Sequence, residues 1–301
     1  ITNHLLSQKY DIVHVQVPYS PFFGANVASA ASNDSVVIGT FHILPYGHIA
    51  RTGTRMLGIV LRNNLKNFDE HLAVSPAAQE FAQYSFKINS QVLPNVVDIE
   101  KYKPRKTTRL EKSDKARILF LGRLEKRKGC GYLLDALGLL AKKDPDLQFE
   151  VKICGKGPLL LELKEQTERL NISDKVEFLG FVSEEEKVSQ MQSADIAVFP
   201  SYSGESFGIV LIEAMAAESA VVVGGDNPGY RSVLGKIPES IVDVKDTPEF
   251  ANRLSKFILD KPFRESIYQK QQVEAGQYDV DVVGRKLIEI YIDCKNKKAD
   301  R

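Results

Sequence analysis

Two glutamates, Glu205 and Glu213, stand eight positions apart in the segment 201–217, directly after an apolar run at residues 194–200. That run is short, β-branched and closed by proline, which predicts a buried strand. The glycine turn and the apolar spacing that follow predict a helix over 207–217. A turn between strand and helix presents free backbone N–H groups to an anion. Because two carboxylates there would repel a bare phosphate, we expect them to accept hydrogen bonds from hydroxyls, as in a nucleotide sugar.

A second segment whose residues could take part in chemistry is the apolar strand at residues 116–123. It ends in Gly122 and Arg123 and is followed by Lys128. One arginine and one lysine between a strand and a helix predict a clamp for a diphosphate. The alternative is that the basic residues around this turn are only solvated. The next strand ends at Gly155 and Gly157, where small residues would let the backbone approach a nucleotide closely.

A third candidate is His42, at the end of the predicted strand 35–42. An earlier strand at 10–16 and a helix-like segment at 26–33 predict a right-handed crossover and a parallel sheet. Ligands of such sheets bind at the carboxyl ends of the strands, where His42 lies. The alternative is a histidine that is hydrogen-bonded in a loop.

The sequence SYSGESFGIVLIEAMAA, the Glu-x7-Glu spacing and the GR…K pattern resemble retaining glycosyltransferases of the GT-B fold, family 4, and among them the phosphatidylinositol mannosyltransferases. The resemblance covers nearly the whole chain. It implies an α/β protein with two Rossmann-like domains that face each other across a cleft. It also implies a hexosyltransferase that uses a GDP-mannose or UDP-glucose type of donor, a lipid or glycan acceptor, and no metal or other cofactor.

The resemblance also assigns roles. The catalytic set is His42, near the anomeric carbon of the sugar, with Arg123, Lys128 and Glu205. Glu205 would hold the sugar, and Glu213 would accept the ribose hydroxyls. Val182 and Lys187 would flank the base, after the strand at 176–182. The full donor-binding set is Gly122, Arg123, Lys128, Gly155, Gly157, Val182, Lys187, Glu205, Ser206, Phe207, Gly208, Ile209 and Glu213.

The length of 301 residues predicts two domains, and the polar stretch 101–115 predicts the linker. We place an acceptor-side domain at 1–104, a nucleotide-sugar-binding domain at 105–277, and a helix at 278–301 that crosses back to the first domain. The family's opening strand and glycine-rich loop have no counterpart here. We therefore expect the first domain to be incomplete and the chain to bind donor better than it turns it over.

The segment 49–68 is predicted to form an amphipathic basic helix. Its basic residues recur at helical spacing, and its apolar stripe consists of Leu57, Leu61, Leu65 and Phe68. One interpretation is peripheral contact with an anionic membrane. The other is the solvated face of an ordinary core helix.

A net charge of +1 argues against nucleic acid as a partner. Three widely spaced cysteines fit no zinc pattern and favour a location in the reducing cytosol. If the basic helix contacts a membrane, the protein would be peripheral at the inner membrane face. The Asp-x-Asp sequences at 144–146 and 279–281 each precede an element, so turn and capping roles are predicted for them rather than metal binding.

Two other functions compete with that of a transferase. The chain could be a catalytically silent nucleotide-sugar-binding protein or a truncated fragment. A sugar-nucleotide epimerase of similar architecture is the third alternative.

Overall fold

The computed structural model describes residues 10–20, 23–45, 47–104, 115–218 and 220–300. The chain divides into two compact units. One comprises Ile1–Asn95, Gly204–Phe207 and Val280–Arg301, and the other Val96–Ser203 and Gly208–Asp279. The predicted boundaries at 104/105 and 277/278 stay predictions.

The described part of the first unit contains a parallel sheet with the strand order β1-β2-β3-β4. The strands are β1 (Ile12–Gln16), β2 (Val36–Phe41), β3 (Glu70–Ala73) and β4 (Gln91–Val92). Every residue of β2 is buried, as the apolar run VVIGTF requires of an inner strand covered on both faces. The helices between these strands are α1 (Gly24–Ala30), α2 (His48–Leu65) and α3 (Pro76–Phe86).

The second unit contains a larger parallel sheet with the order β10-β9-β8-β5-β6-β7. After the short helix α4 (Ile99–Tyr102), its strands are β5 (Ala116–Leu121), β6 (Phe149–Cys154), β7 (Val176–Gly180), β8 (Ile196–Phe199), β9 (Val221–Gly225) and β10 (Ile241–Val242). Its other helices are α5 (Cys130–Lys143), α6 (Leu160–Arg169), α7 (Glu184–Ser193), α8 (Ile209–Ala216), α9 (Pro228–Leu234), α10 (Thr247–Leu259) and α11 (Lys261–Ala275). The inner strands β8 and β5 meet at the centre, so the loops after them are neighbours at one edge.

The last helix, α12 (Val280–Ala299), packs on the sheet of the first unit. Its apolar side places Val283, Ile290 and Cys294 in one buried cluster with residues of β2 and β3. Near its end, the Lys298 ammonium donates to a carboxylate oxygen of Asp69 at 2.9 Å. Burial of apolar side chains, rather than ion pairs of this kind, therefore supplies most of the attachment.

Some boundaries differ from those predicted. The helix predicted over 207–217 begins only at Ile209, because Gly208 has φ 118° and cannot belong to a right-handed helix. The last strand of the first unit is short, at Gln91–Val92, and a helical turn at Ile99–Tyr102 overlaps the start of the predicted linker. Residues 105–114 of that linker lie outside the described residues.

Local contacts fix the ends of helices α3 and α5. Ser75 caps α3, with its hydroxyl accepting from the Ala78 backbone N–H at 3.0 Å. Asp144 directly follows α5, and its backbone N–H donates to the Leu140 carbonyl at 2.8 Å. A capping role for its carboxylate stays a prediction. Cys130, Cys154 and Cys294 are free and buried, which makes them structural residues. Within the described ranges, no helix is both long and apolar enough to cross a membrane.

Candidate functional site

The loop after β5 holds the predicted diphosphate clamp. Arg123 is largely exposed, with 65% of its side chain accessible, and its guanidinium pairs with the Glu125 carboxylate at 2.9 Å. Lys128 closes the helical turn Lys126–Lys128, and its aliphatic chain runs close to Gly122 at the end of β5. The two predicted cations therefore lie on one loop, at the carboxyl edge of the sheet in the second unit.

The glycines after β6 pack against this same loop. Gly155 has φ +155°, and a Cβ there would stand 1.9 Å from the Gly122 carbonyl oxygen. At Gly157 an added Cβ would stand 2.4 Å from the Leu124 carbonyl oxygen. In the structure, glycine is needed at these two positions because the two loops approach each other closely. Approach to a nucleotide, which we predicted for the same residues, stays a prediction.

Asn227 connects the loops after β8 and β9 through side-chain hydrogen bonds. It was not among the residues predicted from the sequence. This side chain is 2% exposed. Its amide donates to the carbonyl of Ser201 at 2.7 Å and to that of Gly225 at 3.1 Å. Its oxygen accepts from the Tyr230 N–H at 2.9 Å as the cap of α9. The Asn-Pro pair is a helix-start signal that could have predicted the cap, but the two bonds to carbonyls depend on the order of the strands.

Further contacts connect the loop after β8 to the loop with the cations. The Tyr202 N–H donates to the Arg127 carbonyl at 3.1 Å, and the Ser201 hydroxyl donates to the same oxygen at 3.1 Å. Gly129, with φ +75°, lies so close to Pro200 that a Cβ would stand 2.0 Å from the Pro200 carbonyl oxygen. The loops after β5, β6, β8 and β9 therefore form one continuous rigid edge, because each is bonded to or packed on the next.

Glu213 lies on α8 in a cluster with residues from two other elements. Its Oε1 accepts from the Tyr102 hydroxyl at 2.7 Å and from the Lys187 ammonium at 3.0 Å. Lys187, on α7, also pairs with Glu184 at 2.7 Å. Burial lowers the pKa of Lys187, but the hydrogen bonds to Glu184 and Glu213 outweigh it, so the pKa stands above its ordinary value. Two predicted donor-binding residues, Glu213 and Lys187, are thus in direct contact.

The remaining predicted residues of the second unit occupy the same edge or the start of α8. Gly208 packs against the Tyr230 ring, where a Cβ would stand 2.8 Å from the ring. Ile209 opens α8 and is 47% exposed, although it is apolar. Val182 is half-buried in the loop between β7 and α7.

The other predicted residues belong to the first unit. Glu205, Ser206 and Phe207 fall in the segment Gly204–Phe207, which is grouped with that unit. Phe207 is buried, and the Ser206 carbonyl accepts from the Ser75 hydroxyl. His42 directly follows β2, and its Nε2 is hydrogen-bonded to the Gln16 amide oxygen. Burial lowers the pKa of His42, which favours the neutral ring, and the one N–H of a neutral ring is here donated by Nε2 to Gln16.

Within the described part of the chain, no group of three or more histidine, cysteine, aspartate and glutamate side chains is arranged to hold a metal ion.

Solved structures share this fold over nearly the whole chain. The crystal structure of Anabaena Alr3699/HepE in complex with UDP superposes with a TM-score of 0.79 at 22% identity, covering 97% of this chain and 80% of that one. A glycosyltransferase from Rickettsia africae superposes with a TM-score of 0.78 at 18% identity, covering 97% and 79%. The two parallel α/β sheets thus form a GT-B fold.

Sequence comparison defines the family. The model for glycosyl transferases group 1 matches residues 103–273, and the model for glycosyltransferase family 4 matches residues 1–101. Phosphatidyl-myo-inositol mannosyltransferase of Mycolicibacterium smegmatis is 31% identical over 287 residues, which cover 94% of this chain and 71% of that protein. D-inositol 3-phosphate glycosyltransferase of Corynebacterium urealyticum is 32% identical over 222 residues, covering 69% and 52%. The chain belongs to the group 1 glycosyl transferases and is a glycosyltransferase.

Proposed function

We propose that this enzyme transfers a hexose from a nucleotide-diphosphate sugar, of the GDP-mannose or UDP-glucose type, to a lipid or glycan acceptor. The transfer would retain the anomeric configuration and need no metal. The observation that carries the proposal is the rigid edge of the second sheet. Two cations on one loop lie there beside loops packed backbone to backbone, in the unit that also holds the half-buried carboxylate of Glu213.

The relatives support the kind of donor and acceptor. The Mycolicibacterium smegmatis protein is named a phosphatidyl-myo-inositol mannosyltransferase, so a hexose and a lipid acceptor are reasonable for this chain. The Anabaena protein was crystallised with UDP and glucose, which supports a nucleotide-linked sugar. A panel of nucleotide sugars distinguishes a guanine donor from a uracil donor.

Breaking a glycosyl–phosphate bond places negative charge on the departing diphosphate. Arg123, Lys128 and the N-terminal amides of α8 would stabilise that charge. A cation about 4 Å away contributes roughly 4 kcal/mol at an effective dielectric of 20, so two cations and the helix end could take the place of a divalent ion.

The other residues would orient the donor. Glu213 would accept hydrogen bonds from the ribose hydroxyls, while Glu205 with the Ser206 and Phe207 backbone would hold the sugar. Val182 and Lys187 would flank the base. We propose that His42 lies against the sugar near its reacting carbon.

The direct test is a transfer assay on a panel of nucleotide sugars, with and without EDTA. We expect one donor to raise the melting temperature of the protein, because a ligand that binds only the folded state stabilises it. With that donor, transfer to a lipid or glycan acceptor should proceed unchanged after divalent ions are chelated. Full loss of activity with EDTA, restored by manganese or magnesium, would contradict metal independence. Donor binding without any transfer would contradict the proposed reaction.

A lipid acceptor suggests contact with a membrane, and α2 carries a surface that fits one. Met56, Ile59 and Val60 are 67%, 75% and 74% exposed on this helix. Arg62 on this helix and Lys66 directly after it are exposed, whereas Leu61 and Leu65 of the predicted apolar stripe are buried in the core. The helix therefore has two apolar faces, and the outer one is flanked by cations. We propose that this outer face lies on an anionic lipid surface at the cytoplasmic side.

Vesicle sedimentation tests the contact. We expect the protein to pellet with vesicles containing phosphatidylglycerol and not with pure phosphatidylcholine, because each cation near an anionic surface contributes about 1 kcal/mol. The double variant I59S/V60S should lose most of this binding while the donor still raises the melting temperature. A matched control is I288S/I292S, since Ile288 and Ile292 on α12 are 56% and 54% exposed. Equal loss in both double variants, or no vesicle binding by the wild type, would remove the assignment.

A further inference from the structure

The Glu213 carboxylate is held at one oxygen and open at the other. Oε1 accepts from the Tyr102 hydroxyl at 2.7 Å and from the Lys187 ammonium at 3.0 Å. Two donors occupy both in-plane lone pairs of that oxygen. Among the described residues none donates to Oε2, and the side chain keeps 15% of its surface accessible. The second oxygen is therefore the one at which a ligand hydroxyl can bind.

The two donors are themselves fixed by the protein. Tyr102 is 6% exposed, and its backbone carbonyl accepts from the Gln192 side chain at 2.7 Å, which ties α4 to α7. Lys187 is 12% exposed, and its ammonium lies 5.7 Å from the centre of the Tyr102 ring. Burial, together with the hydrogen bond to Glu213, raises the pKa of Tyr102 to about 12, so the phenol remains a donor at neutral pH.

A glutamate on a helix that is free to rotate loses side-chain entropy when a ligand fixes it. A glutamate already fixed by two buried donors loses little, so more of the hydrogen-bond energy contributes to affinity. The same restraint limits the ligand to one oxygen. Two neighbouring hydroxyls can share Oε2, and a ligand that lacks one of them leaves a lone pair of a partly buried carboxylate unpaired.

We propose that Tyr102 is a positioning residue that presets Glu213 for the ribose of the donor and makes the site select ribonucleotides over 2′-deoxyribonucleotides. The proposal rests on the proposed function, in which Glu213 receives the ribose hydroxyls. It adds a residue from outside the loops that carry the predicted site. It also adds a selectivity that the Glu-x7-Glu spacing does not predict.

The test is calorimetric titration of wild type and Tyr102→Phe with GDP, UDP and their 2′-deoxy counterparts. The phenylalanine keeps the ring and the backbone contact to Gln192, so the packing of α4 should be preserved. We expect the wild type to prefer the ribonucleotide. We expect Tyr102→Phe to weaken ribonucleotide binding about fivefold, the size of one hydrogen bond, and to leave deoxyribonucleotide binding nearly unchanged. In a Glu213→Gln background the same substitution should have no further effect.

Tyr268→Phe is the matched control, because the Tyr268 hydroxyl donates to the Glu218 carbonyl and not to Glu213. This control should bind all four nucleotides as the wild type does. An equal loss of ribo- and deoxyribonucleotide affinity in Tyr102→Phe would show that the hydroxyl only supports the fold. An unchanged preference in Tyr102→Phe would also overturn the proposal. If the wild type bound none of the nucleotides, the proposed function itself would be wrong and this inference with it.

Discussion

Replacing both Arg123 and Lys128 with alanine is expected to reduce transfer at least 1,000-fold while the fold stays intact. Loss of one cation that acts on the departing diphosphate removes about 3–4 kcal/mol of transition-state stabilisation, or a factor of several hundred in kcat/KM. Both side chains lie on a loop, and Arg123 is largely exposed, so the core is not disturbed. The single variants should each lose most of their activity, with kcat falling more than KM rises, because the charge develops in the transition state.

Lys126→Ala is the matched control for this experiment. Lys126 is exposed in the same helical turn as Lys128, so its removal changes the net charge of the turn by the same amount. We expect this variant to keep nearly full activity. Circular dichroism and thermal melting should be the same for all variants. Normal turnover by the double variant would show that neither cation meets the diphosphate.

The second large effect is expected at the two glutamates, which should respond differently to removal of their charge. Glu213→Gln should weaken binding of the free nucleoside diphosphate by about 2 kcal/mol, roughly 30-fold, because charge-assisted hydrogen bonds to ribose are lost. Glu205→Gln should leave that affinity unchanged and weaken only binding of the complete nucleotide sugar. Titration of each variant with the diphosphate and with the donor measures both effects.

Glu185→Gln serves as the control for a lost carboxylate, since Glu185 is exposed on α7, the helix that carries Lys187. It should bind both ligands normally. If Glu205→Gln and Glu213→Gln weakened the free diphosphate equally, the division of roles between ribose and sugar would be wrong. The roles of both glutamates follow at present from the resemblance, and this pair of titrations tests them separately.

Sequence analysis predicted the architecture well because the relevant signals are local. Inner strands of a parallel sheet are buried on both faces. Apolar runs such as VVIGTF and IAVF therefore predict strands even when the neighbouring strands are unknown. Strand–loop–helix order then requires parallel sheets. The GT-B fold and membership of the group 1 glycosyl transferases followed from the motifs carried on these units and are confirmed by the comparisons.

Local signals were weaker at the ends of elements and on the surface of helices. The helix of Glu213 starts two residues later than predicted, because the left-handed backbone of Gly208 interrupts it. On α2 the predicted apolar stripe is buried at Leu61 and Leu65, but Met56, Ile59 and Val60, which lie outside that stripe, face solvent. Periodicity tells which residues share a face, but only the neighbouring elements decide how many faces are covered.

By itself the sequence determined which residues could do chemistry: the cations at Arg123 and Lys128, and the carboxylates at Glu205 and Glu213. Their types and spacing within short segments carry that information. Only the tertiary structure decided how such residues are held. Tyr102 and Glu213 are 111 positions apart and meet through one hydrogen bond, and Asn227 reaches the loop of Ser201 across 26 positions. Contacts of this range depend on the order of strands in the sheet, which no local pattern encodes.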